Sequence, residues 1–215
     1  MPDVTGWASR ELIEAAVDRG VTVRPPLAGI FYQSFCDASG GVRDSFAMAI
    51  AHAEDRIAVL DCLLEIRPPF NPDSATAQVS DALKAYRCHS TVGDRYGAEW
   101  VVQAFRKCGI NYRPSERDRS SIYLDALPLF TTGRARLLDN KRLVQQFASL
   151  ERRTSPAGRD RVDHGPAGAD DACNAAAGAM VLAVSRQPMI ISRAVLARAA
   201  MPGPATFRNR QRAFF

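Results

Sequence analysis

Apolar residues change their spacing along this chain, and the spacing predicts its elements. Residues 9–18 read as a short helix, followed by a connector, Val23-Arg-Pro-Pro26, whose consecutive prolines forbid further helix and mark a boundary. Ile30-Phe-Tyr-Gln-Ser-Phe-Cys36 is aromatic and β-favouring; it reads as a strand that stops at Asp37, ahead of the turn-like Ala38-Ser-Gly-Gly41. Residues 46–52 and 57–66 predict two more strands, with Glu54-Asp55 turning between them. Three strands joined by tight turns make an antiparallel meander.

Past residue 70 the spacing becomes helical. Asn71-Pro72 is a cap and first-turn pair, and Ala75, Val79, Leu83 and Tyr86 recur at helical intervals. A short strand over 89–93 ends at Asp94. Trp100, Val101, Ala104 and Phe105 then mark an amphipathic helix that stops near Gly109. A strand over 110–113, a helix over 120–130 interrupted by Pro128, a strand over 134–138 and a helix over 140–150 follow. Residues 152–164 are polar and turn-rich, and 169–184 close the body as a helix of small residues. Trp100, Phe105 and Tyr123 are expected in the core. The pattern predicts an α/β fold with a mixed sheet, the meander plus parallel strands, flanked by helices. It divides the chain into an N-terminal helix and connector (1–27), a main domain (28–185) and a tail (186–215).

Composition changes this picture little. The chain has 215 residues, 47% hydrophobic and 24% charged, which excludes wholesale disorder and collagen-like repetition. The longest apolar run, 175–184, is too short to cross a bilayer, and no basic-then-apolar leader opens the sequence. A cytoplasmic protein without a membrane partner is expected. Cys36, Cys62, Cys88, Cys108 and Cys173 form no C-x-x-C pair, so neither a zinc site nor a disulfide framework is indicated.

Charge matters more by position than by total. Lysine and arginine number 28 against 23 acids, a net +5, yet Arg186, Arg193, Arg198, Arg208, Arg210 and Arg212 lie in a tail with no acid. The first 185 residues therefore carry −1, and the body is not a uniformly basic surface. Such a tail either holds polyanions without sequence preference or is a solvated terminus, expected to be poorly ordered.

Candidate chemistry sits where elements end. Asp37 follows the first strand of the meander, Asp94 follows the fourth strand, and Asp170-Asp171 opens the last helix. Ligands of open α/β sheets bind near the carboxyl ends of strands, and the small residues after each acid let a phosphodiester backbone approach. Clustered carboxylates stay ionised together only beside a cation. Mg²⁺ or Mn²⁺ meets that need, and two such ions about 3.5–4 Å apart would activate a water and stabilise the departing 3′ oxygen in phosphodiester cleavage. Singly, each acid reads as well as a turn residue, a strand end or a helix cap.

The wording around these acids carries a resemblance. Val92-Gly-Asp-Arg-Tyr-Gly-Ala-Glu-Trp100, Phe105-Arg-Lys-Cys-Gly-Ile110, Arg113-Pro-Ser-Glu116, Gly133-Arg-Ala-Arg-Leu-Leu-Asp139, Leu150-Glu-Arg-Arg-Thr154 and Gly158-Arg-Asp-Arg-Val-Asp-His164 precede Ala169-Asp-Asp-Ala-Cys-Asn-Ala-Ala-Ala177. In this order they resemble the C-terminal nuclease domain of tailed-phage terminase large subunits, from about residue 25 to 184. The resemblance implies an RNase H-like fold and a two-metal (Mg²⁺ or Mn²⁺) endonuclease that cuts concatemeric double-stranded DNA during genome packaging, in a bacterial cell and of phage or prophage origin. It implies that Asp37 bridges both metals, that Asp94 is the second acid and that Asp171 is the acid of the last helix, with its neighbour Asp170 left as an alternative ligand. Arg152, Arg153, Arg159 and Arg161 then flank the site as DNA-binding residues, or form an exposed loop balanced by Glu151, Asp160 and Asp163.

The sequence departs from the family's pattern at three points. Ala169 stands where the family commonly has histidine, with His164 nearby. Asn174 replaces a further acid. No G-x-x-x-x-G-K-[ST] occurs, so no packaging motor is expected within these residues, and a separate packaging ATPase, a small terminase subunit or a portal is the implied partner. An inactive prophage remnant that only binds DNA, or a junction-resolving nuclease of the same fold, are the competing expectations.

Overall fold

The computed structural model describes residues 3–95, 98–155, 158–165 and 168–185; the basic tail over 186–215, expected to be poorly ordered, lies outside the described residues. In chain order the elements are β1 (Asp3–Gly6), α1 (Arg10–Ala15), β2 (Val17–Asp18), β3 (Gln33–Asp37), β4 (Phe46–Glu54), β5 (Ile57–Ile66), α2 (Pro72–Ala85), β6 (Ser90–Gly93), α3 (Ala98–Lys107), β7 (Asn111–Pro114), α4 (Arg119–Thr131), β8 (Ala135–Leu138), α5 (Lys141–Ala148), β9 (Leu150–Thr154), β10 (Asp160–His164) and α6 (Asp171–Ser185).

Seven strands form one mixed sheet in the order β2-β8-β5-β4-β3-β6-β7. The expected antiparallel meander, β3 to β5, is its centre; β6 and β7 add in parallel beyond β3, and β8 and β2 in parallel beyond β5.

Strand β4 shows why helices cover both faces. Its alternate residues Phe46, Met48 and Ile50 join Val79 and Leu83 of α2 and Val101 and Phe105 of α3 in one apolar cluster. Its intervening residues Ala47, Ala49 and Ala51 face the other way and share a second cluster with the alanines of α6. Small residues on both surfaces let α6 lie close against the sheet. At Gly178 the approach is closest: a Cβ there would stand 2.4 Å from the ring root of Phe35. Asn71 caps α2 as expected, its side chain accepting from the Ser74 N–H at 3.1 Å.

Three expectations change. The helix expected over 9–18 stops at Ala15, and Val17–Asp18 pairs instead with β8. Asp18 is drawn into that pairing by the guanidinium groups of Arg24 and Arg136. The strand expected from residue 30 begins at Gln33. Most consequential, the polar stretch 152–164 is not irregular. It supplies β9 and β10, which with β1 form a three-stranded antiparallel sheet. Of the described residues of this hairpin only Leu150 and Val162 are buried, so it lacks the alternation that signals a strand. Cross-strand charge takes that role, through Arg152–Asp160.

The first residues pack with the body. Trp7 is buried, stacks on Phe147 with ring centroids 5.4 Å apart, and donates its indole N–H to the Tyr123 carbonyl at 3.0 Å. Cys36, Cys62, Cys88, Cys108 and Cys173 are all free thiols. Among the described residues no helix is long and apolar enough to cross a membrane.

Candidate metal centre

Strands β3 and β6 are parallel neighbours, Phe35 opposite Val92 and Cys36 opposite Gly93. The next residues, Asp37 as the last of β3 and Asp94 just past β6, therefore stand side by side at the carboxyl end of these strands. The Asp94 N–H still donates to the Cys36 carbonyl at 3.2 Å. Gly93 allows this closeness, because a Cβ would meet the Tyr112 hydroxyl at 2.3 Å and the Cys36 carbonyl at 2.5 Å. Asp37 is buried, with 6% exposure, and Asp94 is half-buried.

Helix α6 delivers the remaining acids. Asp171 is its first residue, where the helix dipole favours a carboxylate. Three residues on, Asn174 donates its Nδ2–H to Asp37 Oδ2 at 2.8 Å, while its Oδ1 is buried without a partner. Asp170, just outside the helix and 2% exposed, has both oxygens engaged: Oδ1 accepts from Arg119 Nη1 and Oδ2 from the Tyr123 hydroxyl, each at 2.8 Å. Asp171 has no such side-chain pairing among the described residues and faces the cleft.

Asp37, Asp94, Asp170, Asp171 and Arg119 line one cavity of about 500 Å³, in which, among the described residues, five carboxylates (Asp37, Asp44, Asp94, Asp170, Asp171) face one guanidinium, that of Arg119. Arg119 reaches three of them: besides its bond to Asp170, Nη2 lies 3.6 Å from Asp94 Oδ2 and 3.8 Å from Asp37 Oδ2. Burial pushes the Asp37 carboxyl up to about 7 against the pull of Arg119 and Asn174, with Asp171 and Asp170 adding to the rise. Burial and the neighbouring Asp170 raise Asp171 also, against the Ser45 backbone N–H.

The donor set fits a hard divalent cation. It consists of carboxylate oxygens with an unpartnered buried amide oxygen beside them, and its negative charge exceeds what one guanidinium offsets. A second grouping lies at the edge: Asp163, His164 and Asp170 bring one ligand atom each within 4.8 Å of one another. There, however, Asp170 is already committed to Arg119 and Tyr123.

Asp37, Asp94, Asp170 and Asp171, named from sequence, thus meet at one cleft. The four arginines do not. Arg152 pairs with Asp160, Arg153 with Glu151 and Arg161 with Asp163 on the β9–β10 hairpin, while the Arg159 N–H closes its turn onto Ser155. Arg161 does border a groove of about 920 Å³ that shares Asp94 and Arg119 with the cavity. Ser39 completes a turn, donating to the Asp44 carbonyl at 2.6 Å. Phe105 and Tyr123 are in the core as expected; Trp100 is not, being 37% exposed on the cavity wall, because its place in α3 faces the cleft and not the sheet.

Sequence reasoning passed over Arg119 and Asp44. The one signal available was Asp118, whose side chain accepts from the Ser121 N–H at 2.7 Å and so starts α4 with Arg119 pointing into the acids.

No family model matches this sequence, and no curated protein matches it. Solved structures do. The HK97 bacteriophage large terminase superposes with a TM-score of 0.66 at 14% identity over 84% of this chain, which spans only 44% of that protein. The large terminase nuclease from thermophilic phage G20c with bound magnesium gives 0.65 at 17% identity, over 80% of this chain and 96% of that one. A mutant nuclease domain of the large terminase subunit of bacterial virus Sf6, with manganese and β-thujaplicinol, gives 0.58 at 15%, over 86% and 100%. The mixed sheet flanked by helices is therefore the RNase H-like fold of phage large-terminase nuclease domains.

Proposed function

We propose that this chain is a metal-dependent endonuclease of the large-terminase kind, cutting double-stranded DNA with two Mg²⁺ or Mn²⁺ ions. One observation carries the reading: acids from β3, from the end of β6 and from the start of α6 border a single cavity at the carboxyl end of the sheet. The fold shared with the magnesium-bound G20c nuclease supports it.

Asp37, Asp94 and Asp171 would hold the ions, with the free Oδ1 of Asn174 as a further oxygen donor. When bound, the ions supply the charge that activates an attacking water and offsets charge building on the departing 3′ oxygen. Asp170 positions its neighbours, since Arg119 and Tyr123 take both its oxygens. Arg161, with Arg95 and Arg117 along the adjoining groove, contacts backbone phosphates beside the cut; Arg152 and Arg153 brace the hairpin. Cleavage of concatemeric phage DNA alongside a packaging ATPase, a small subunit or a portal is the setting that the fold suggests.

The test is nicking of supercoiled plasmid by the full chain. Cleavage that needs Mg²⁺ or Mn²⁺, stops with EDTA and disappears in Asp37→Asn supports the proposal. Salt-sensitive binding with no cleavage would instead make the chain a non-catalytic DNA-binding module. Strong preference for four-way junctions over linear duplex would make it a junction-resolving enzyme.

A further inference from the structure

Arg119 stands where a helix least favours a cation. It is the first residue of α4, at the positive end of the helix dipole. Its side chain, 33% exposed, nevertheless turns inward to three carboxylates, on the last residue of β3, just past β6 and just before α6. The two halves of the guanidinium are held differently. Nη1 makes a hydrogen bond of 2.8 Å to Asp170, whereas Nη2 lies 3.6 Å from Asp94 and 3.8 Å from Asp37, beyond hydrogen-bond length to either. Nη2 is thus a charge placed between two carboxylates, and it serves the same two groups that a shared divalent ion needs.

Resting on the metal-nuclease reading above, we propose that Arg119 is the resident counter-ion of the site. One arm is anchored on Asp170 and the other stands between Asp37 and Asp94, so that loading of divalent ions is a competition with Arg119. Residence of a guanidinium explains how four buried or half-buried carboxylates, Asp37, Asp94, Asp170 and Asp171, coexist in one cavity, and it sets the metal affinity from inside the fold. The Asp170 anchor, doubled by Tyr123, keeps the arginine at the cleft when its second arm is displaced.

A purely structural arginine has the opposite signature, because its removal loosens the carboxylates and weakens metal binding. The experiment is isothermal titration of the full chain with Mn²⁺, comparing the parent with Arg119→Gln and Arg119→Lys. The expected result is binding tightened by roughly tenfold or more in Arg119→Gln, the gain from removing one competing charge near two carboxylates. A smaller tightening is expected in Arg119→Lys, whose single ammonium cannot both hold Asp170 and stand between the other two. Equal or weaker Mn²⁺ binding in a variant with the parent's circular dichroism overturns the inference, and Arg119→Lys carries the test if Arg119→Gln does not fold. Plasmid nicking by the parent separates the two ideas. Nicking with unmoved Mn²⁺ affinity sinks the counter-ion role alone, while absence of both nicking and Mn²⁺ binding in every protein sinks both.

Discussion

The Tyr123 hydroxyl is the smallest group whose removal tests how the acidic cleft is held. Tyr123→Phe deletes one oxygen from a residue with no exposed surface and breaks the 2.8 Å bond to Asp170 Oδ2, leaving Arg119 as that carboxylate's remaining side-chain hydrogen-bond donor. A hydrogen bond to a charged group contributes about 1.5–3 kcal/mol, and a buried oxygen left unsatisfied adds to the cost. The ring itself stays, edge-on to Trp7 with centroids 6.2 Å apart, so no cavity term enters. The expected loss is about 2–3 kcal/mol. Urea unfolding followed by fluorescence of the buried Trp7 reads it as a midpoint lowered by about 1 M with unchanged slope. Asp170→Asn completes a double-mutant cycle in which the two losses should fall well short of additive. A midpoint within experimental error of the parent's would refute the argument, because it would mean that Asp170 does not depend on this hydroxyl.

Other outcomes follow from the same geometry. Asp37→Asn should stabilise the metal-free protein at pH 8. Burial raises the Asp37 carboxyl to about 7, above its unfolded range, so the native state loses stability as pH rises from about 4 through 7, and an amide at this position does not. Melting temperatures of the two proteins in EDTA should diverge over that window, and no divergence would contradict the buried site. His52 gives a second pH effect. Burial disfavours its charge, but Asp61 at 2.7 Å and Glu54 at 3.1 Å outweigh burial and raise its folded pKa above the usual value. Its contribution is complete below about pH 6.5 and fades as pH climbs through the raised folded value, so the pH profile of stability above 6.5 should flatten in His52→Gln. Gly178→Leu should cost at least about 3 kcal/mol by driving a side chain into the Phe35 ring, and calorimetry that finds the variant as stable as the parent would show that α6 does not lie this close.

Much of the central sheet was legible because it obeys simple periodicities. β4 and β5 are long apolar runs bounded by a turn, and α2 carries its own cap and proline, so local chemistry and tertiary placement agree. The acids at 37, 94 and 171 were legible as element ends, though only their wording suggested that they meet. What was not legible depends on contacts between distant segments. β1, β9 and β10 have little apolar alternation and are held by one another. β2 is two residues long and exists because β8 lies beside it. Arg119 sits in an arginine-rich stretch and acquires meaning only once α4 aims it at three carboxylates. Trp100 has the spacing of a core residue but lies at the cleft's wall, since helical period fixes a face and not what that face meets.

The order in which the cleft's parts occur along the chain has its own consequence. Polypeptides are made from the amino end, and α6, which brings both Asp171 and Asn174, is the last of the described elements to emerge from the ribosome. Until it docks onto its alanine bed, Asp37 and Asp94 have neither the amide nor the final carboxylate beside them. The acidic pocket is therefore completed only after α6 has been made and has docked, so its assembly reports folding of the whole body and not of the sheet alone.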